Sequence, residues 1–209
     1  FWNAKKINTR VLTEVTRIDR KQKMVEFTDL TTGKAGTAAY DKLVIATGSN
    51  ARKPPVPGVE LEGITTLQSL SDADYLRKIK DEGVIKKAVV IGGGLIGIET
   101  LEALHLAGIH ITLIELLPQM LTFLDKHMAR LVEKYVQTKV NVILQNGVAS
   151  FLGENGVLKA VKLQDGTEIP CDLAVVAIGV TPNNKLAKEA GLAIGETGGI
   201  LVDEYMQTT

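Results

Sequence analysis

A short apolar run passes directly into clustered glycines at Val89-Val90-Ile91-Gly92-Gly93-Gly94-Leu95-Ile96-Gly97-Ile98-Glu99. Gly92, Gly94 and Gly97 have the spacing G-x-G-x-x-G. Spacing alone is weak, because 20 glycines in 209 residues produce such triplets by chance. The setting gives it weight. Ala88 to Ile91 reads as a buried strand, Leu95 to Ala107 as a helix, and Ile109 to Glu115 as a second strand, which together make one βαβ unit. In that unit Gly92 permits a tight turn and Gly94 lets the backbone approach a pyrophosphate. Gly97 shares a helix face with Leu101, Leu104 and Gly108, the spacing that packs a helix on a sheet. The helix N-terminus offers free N–H groups and positive dipole to phosphates. Glu115 ends the second strand 18 residues after Gly97, where a carboxylate receives two ribose hydroxyls.

Glu115 also discriminates between dinucleotides. A 2′-phosphate would meet its charge, and Leu116-Leu117-Pro118-Gln119 supplies no Arg or Lys to receive one. NADH is therefore expected in preference to NADPH. Glu99 has two readings: a carboxylate in a first helical turn is explained by the helix dipole alone, or it stands beside a nicotinamide.

The chain around this unit alternates strands and helices. Arg10 to Ile18 and Met24 to Thr28 alternate apolar and polar residues, and Leu43 to Thr47 reads as a strand buried on both faces. Pro54, Pro55 and Pro57 make a stiff crossing and a candidate boundary. A helix cap is expected at Ser71-Asp72-Ala73-Asp74, with the helix running to about Asp81. A further helix is expected over Asp125 to Thr138 and a strand over Val140 to Leu144. Then come a hairpin segment from Val157 to Leu163 with a turn at Asp165-Gly166, and a last buried strand over Leu173 to Ile178. This order predicts a parallel sheet with right-handed crossovers and a small antiparallel excursion.

Composition removes other classes. With 24 basic and 24 acidic side chains the formal charge is zero, so nothing general draws the chain to nucleic acid or an anionic membrane. No apolar run approaches the ~20 residues that span a bilayer, and no signal peptide opens the chain, which points to a cytoplasmic protein. A single cysteine, Cys171, excludes an internal disulfide and any Cys-x-x-Cys site. His105, His110 and His127 have no metal-ligand spacing, so no metal is expected. Tyr135 and Lys139 have a Tyr-x-x-x-Lys spacing, but they fall between the second and third strands, too early for the dehydrogenase pair of that form.

Taken together the motifs resemble the pyridine nucleotide-disulfide oxidoreductase family, flavoproteins with two nucleotide-binding domains. The resemblance is carried by Tyr40 to Gly48, the proline-rich crossing to Gly58, Gly92 to Glu99, and Ala177-Ile178-Gly179-Val180-Thr181-Pro182-Asn183. Leu121 through Asp125 to Ala129 is similar to the coenzyme A-disulfide reductase, NADH oxidase and NADH peroxidase branch. The resemblance implies an α/β fold in which a Rossmann-like three-layer NAD-binding domain, residues 63–182, is inserted into a partial FAD-binding domain, 1–62 and 183–209. It implies that Gly92, Gly94, Leu95, Ile96, Gly97 and Glu99 line the pyrophosphate and nicotinamide site. Glu115 would hold the ribose and Gly179 close over the nicotinamide. Val15, Ala46, Thr47 and Gly48 would lie on the FAD side.

The resemblance also implies a small-molecule disulfide or oxygen-type acceptor and a homodimer in the full-length protein. The family's first FAD fingerprint and its redox cysteine precede the region matched at Phe1, and its second FAD motif follows Asp203, so no catalytic residue is expected in this chain. The opening Phe1-Trp2-Asn3, without Met, fits a piece of a longer protein, expected to be inactive alone. Two alternatives stay open: a non-catalytic NADH-binding or sensing module, and a ferredoxin or rubredoxin reductase, which shares the plan without the cysteine.

Overall fold

A computed structural model describes residues 7–209; the opening Phe1-Trp2-Asn3 lies outside the described residues. In chain order the first elements are β1 (Thr13–Asp19), β2 (Met24–Asp29), β3 (Ala35–Ala39), β4 (Ser49–Ala51), β5 (Ile64–Thr66) and α1 (Leu70–Glu82). Next come β6 (Lys87–Ile91), α2 (Leu95–Leu106), β7 (His110–Ile114), α3 (Lys126–Gln137) and β8 (Asn141–Ile143). The last are β9 (Val148–Glu154), β10 (Val157–Leu163), β11 (Glu168–Pro170), β12 (Leu173–Val176), β13 (Val180–Pro182) and α4 (Lys185–Glu189). The chain forms two compact units: a central one, Asn50–Val180, and a flanking one from residues up to Ser49 and from Thr181 on.

The central unit is built on a parallel sheet of order β5-β12-β6-β7-β8. Register pairs Val90 with both Leu113 and Val175, so one set of alternating side chains faces one way. Ala88, Val90, Ile111, Leu113, Leu173 and Val175 pack with Leu101, Leu104 and Val136 from the helices. The intervening Val89, Ile91, Ile114, Ala174 and Val176 pack with Phe151, Leu158 and Val161 of the antiparallel β9-β10-β11 sheet. The period of two thus fills two cores, one on each face of a middle layer. The α/β three-layer architecture stands as expected.

Three local readings change. The N-cap of α1 is Ser69, not Ser71. Both serines precede an Asp by three, but Ser69 Oγ accepts from Asp72 N at 3.1 Å while Asp72 Oδ2 accepts from Ser69 N at 3.1 Å. Asp72 Oδ2 also takes Gln68 N and the Thr66 hydroxyl, which settles the competition. Residues 50–62, expected with the flanking segment, pack in the central unit, because Phe151 N donates to Pro57 O and Leu158 N to Glu62 O. β9 was not legible as a strand from its own pattern, yet it pairs with β10 around Asn155 (φ 51) and Gly156 (φ 82). An Asn-Gly pair with both φ positive is a strong hairpin signal.

The flanking unit contains the antiparallel sheet β1-β2-β3, bulged between Val15 and Arg17. The expected buried strand over Leu43 to Thr47 is not one. The segment forms no strand, Leu43 is 39% exposed and Val44 87%. A strand buried on both faces needs neighbours on both edges, and the described residues of this unit offer it none. Gly48 and Thr47 are tied instead to Asn183, whose N donates to Gly48 O at 3.0 Å and whose side-chain amide donates to Thr47 O at 3.0 Å.

Candidate functional site

Parallel strands end together, and in the central unit the C-terminal ends of β6, β7 and β12 open into a cleft of about 600 Å³. Gly92, Gly93, Gly94, Glu115, Leu116, Leu117, Ile178 and Gly179 line it, with Pro54, Pro55, Asn146 and Gln164 from distant segments. The strand-turn-helix path that makes this mouth depends on two glycines. Gly92 has φ 109, and a Cβ on it would stand 2.4 Å from Ala177 O. Its N–H donates to Ile114 O at 2.8 Å, which couples the turn to β7. A Cβ on Gly97 would stand 1.9 Å from Gly92 O, so α2 can cross this close only without one. Gly97, Leu101 and Leu104 are buried along one face, as the spacing predicts. Gly108 is not part of that face: it lies beyond the helix end, exposed, with φ 79.

Gly94 differs from both. Its φ of −77° suits any residue, and a Cβ there would meet nothing within 4 Å. The protein's own described atoms give no reason for glycine at this position. A ligand backed against the main chain does. Gly94 is also the N-cap of α2 and contributes no side-chain cap. The N–H groups of the first turn, at Leu95, Ile96 and Gly97, have no acceptor within the helix. Such a terminus attracts an anion.

Glu115 closes the other side of the mouth. Oε2 accepts from Gly93 N at 2.6 Å and Oε1 from Leu117 N at 2.8 Å. Each carboxylate oxygen has about two acceptor positions, so one on each remains for hydroxyl donors. An anion-attracting helix end and a carboxylate with acceptor positions to spare therefore face one cleft, and a dinucleotide fits the residues present. Gly179, at φ 95, lines the same cleft, and its carbonyl accepts from Arg52 N at 2.9 Å. Leu95, Ile96 and Glu99 are exposed on α2. The Glu99 side chain forms no hydrogen bond or ion pair with any described residue.

Val15, Ala46, Thr47 and Gly48 belong to the flanking unit and do not line this cleft. Thr47 Oγ1 donates to Asn183 O at 2.6 Å, and Val15 is 40% exposed on β1. Sequence reading missed Pro54, Pro55, Asn146 and Gln164 as cleft walls. The prolines were visible only as a crossing, and nothing local marks Asn146, which arrives because its N–H donates to Glu115 O. Away from the cleft, Cys171 is buried, and burial, reinforced by the Asp172 charge, pushes its thiol up to about 12. Such a thiol is a packing group. Tyr135 is 66% exposed and its ring carries Lys139 Nζ at 5.9 Å, which leaves the pair on the surface of α3 and its end. No helix among the described residues is long and apolar enough to cross a membrane.

A model of the pyridine nucleotide-disulphide oxidoreductase family matches residues 3–209. The chain is 36% identical over 206 residues to an NADH oxidase of Methanocaldococcus jannaschii, covering 97% of this chain and 45% of that protein. It superposes on a NAD-dependent persulfide reductase from A. fulgidus with a TM-score of 0.94 and 41% identity, over 100% of this chain and 38% of that one. Against reduced CoADR-RHD of Bacillus anthracis the TM-score is 0.93 and the identity 36%, covering 99% and 37%. The chain thus spans less than half the length of each of these three.

Proposed function

Because the chain belongs to the pyridine nucleotide-disulphide oxidoreductase family, we propose that its central unit is the NADH-binding domain of an FAD-dependent oxidoreductase. The observation that carries this reading is the glycine at position 94. Its absent side chain is explained by no described atom of the protein, and it stands at an uncapped helix N-terminus. The pyrophosphate would rest on Gly94 and receive the N–H groups of Leu95 and Ile96, with Gly92 and Gly97 holding the turn. Glu115 would accept the two ribose hydroxyls through its remaining lone pairs. Glu99 and Gly179 would border the nicotinamide.

Val15 and Ala46-Thr47-Gly48 would contribute to an FAD-binding domain, which the flanking unit represents in part. A bound flavin would supply two-electron acceptor chemistry between NADH and a disulfide, persulfide or oxygen-type acceptor. The relatives named as oxidase and as persulfide reductase support an acceptor of that range. A homodimer is the assembly the family resemblance implies for the full-length protein, and its proposed setting is the cytoplasm.

Cofactor preference rests on Glu115. A 2′-phosphate would bring two charges against a carboxylate held rigid by two backbone N–H groups, with no basic residue from Leu116 to Gln119. NADH should bind more tightly than NADPH by about 1–3 kcal/mol. Fluorescence titration of the protein with each dinucleotide tests this, and Glu115→Arg should narrow or reverse the gap. Equal affinities in the parent would overturn the assignment of Glu115.

A further inference from the structure

The glycine run contains one member that the fingerprint spacing does not use. Gly93 has both polar backbone groups held and one side closed. Its N–H donates to Glu115 Oε2 at 2.6 Å, and its carbonyl accepts from Leu121 N at 2.8 Å. Met120, 0% exposed, has its Cγ 2.9 Å and its Cα 3.3 Å from where a Cβ on Gly93 would stand. Leu121 is 7% exposed and has φ 48. That left-handed conformation is unfavourable for a bulky side chain and persists only where surroundings over-determine it. Here the turn aims the Leu121 N–H at Gly93. The segment closes on itself as well: Leu124 N donates to Leu121 O at 2.8 Å and Gln119 Nε2 to Leu124 O at 3.1 Å.

Gly94, the position open to the cleft, is joined directly to Gly93. The peptide between them is oriented by whatever fixes Gly93, and with it the direction of the first N–H groups of α2. Leu121 also borders the cleft, whereas Met120 does not line it, so Met120 controls this without touching a ligand. We propose that Met120 and Leu121 form a brace on Gly93 that presets the glycine turn for the dinucleotide, which makes them positioning residues for NADH affinity. The inference rests on the NADH reading of the cleft. A turn held in its binding conformation loses less freedom when the ligand arrives, and affinity rises accordingly.

NADH dissociation constants test this in the whole protein, with unfolding temperature measured beside each. Met120→Ala removes the packing on Gly93 and should weaken NADH about tenfold in protein that is folded at the assay temperature. Gly93→Ala drives a Cβ into Met120 and to 3.2 Å from Glu115 Oε2, and should weaken it by a similar factor or more. Both variants disturb the Met120 contact, and the approach to Glu115 Oε2 belongs to Gly93→Ala alone, so the double variant should lose less than the product of the single losses. Met120→Leu, which keeps the volume, should restore tight binding. If Met120→Ala does not fold, Met120→Val carries the same comparison. A brace that served stability alone would lower the unfolding temperature and leave the constant of the folded protein unmoved. That result, or strictly multiplicative losses, overturns the proposal while NADH binding by the parent keeps the cleft reading intact. A parent that binds no NADH overturns both.

Discussion

The two units differ in how their apolar residues are used. In the central unit β6, β7 and β12 contain Val89, Val90, Leu113, Leu173, Ala174 and Val175 at 0% exposure, covered on one face by helices and on the other by a hairpin sheet. At roughly 1.5–3 kcal/mol for each Val or Leu withdrawn from water, these residues alone make the middle layer strongly cohesive. In the flanking unit the buried apolar residues among those described are Ile18, Ala187 and Leu192, while Val11 is 81% and Val44 87% exposed. The central unit satisfies its own pattern. The flanking unit has the pattern of a larger sheet without the neighbours that would use it, which accords with relatives more than twice the length of this chain.

The sharpest way to break the contrast is to damage the central unit where it has no slack. Gly97→Ala places a Cβ 1.9 Å from Gly92 O, so the crossing of α2 must shift. Its cost should be about 3 kcal/mol of unfolding free energy, with NADH binding lost, as denaturant titration and fluorescence would report. Gly94→Val is its counterpart: nothing lies within 4 Å of the new Cβ, so the cost should be that of a poorer N-cap, about 1 kcal/mol or less, while NADH binding weakens. A Gly97→Ala protein as stable as the parent would show that α2 is looser than described.

A second experiment sharpens the contrast by measuring both units at once. Amides of β1, β2 and β3 should exchange with solvent at opening energies lower by about 2 kcal/mol than those of β6 and β12, read by hydrogen-exchange mass spectrometry. A polypeptide of residues 1–209 should also be colourless, without stoichiometric FAD and without NADH-dependent reduction of disulfide or oxygen. Tight flavin at one per chain would show that the flanking unit is more complete than its exposed surface suggests.

The smallest effect concerns α1. Ser69→Ala removes half of the capping box and should cost about 1 kcal/mol. Burial pushes the Asp72 carboxyl upward, but N–H donors from Gln68 and Ser69 and the hydroxyls of Thr66 and Ser69 outweigh it, and the net shift is downward. A depressed folded value means that the contribution is full above the ordinary Asp range and fades as pH falls through the lower, folded value. Stability measured from pH 6 down to pH 2 (about the span of a carboxylate titration) should therefore fall less steeply in Asp72→Asn than in the parent.

The same division separates what was legible in the sequence from what was not. The βαβ unit from β6 to β7 was readable to within a residue because its strands are buried on both faces and Gly92 and Gly97 are forced by backbone contact. Glu115 was readable as an acidic end to β7. The brace at Met120 and Leu121 was not, because a backbone N–H aimed by a left-handed turn leaves no side-chain pattern. β3, written Ala35-Gly36-Thr37-Ala38-Ala39, has little of the β-branched character that marks a strand and forms because β2 offers it a register. Leu43 to Thr47 failed in the opposite sense: its composition is that of a central strand, and composition cannot supply the strands on either side.

In the proposed complex the dinucleotide sits on the glycine turn with its ribose on Glu115. A crystal structure of the protein with NADH bound tests it most directly. The expected result is the pyrophosphate against the Gly94 main chain, within hydrogen-bond reach of the Leu95 and Ile96 N–H groups, with both ribose hydroxyls on the Glu115 carboxylate. A dinucleotide found elsewhere, or one whose ribose leaves Glu115 bound only to Gly93 and Leu117, would contradict it.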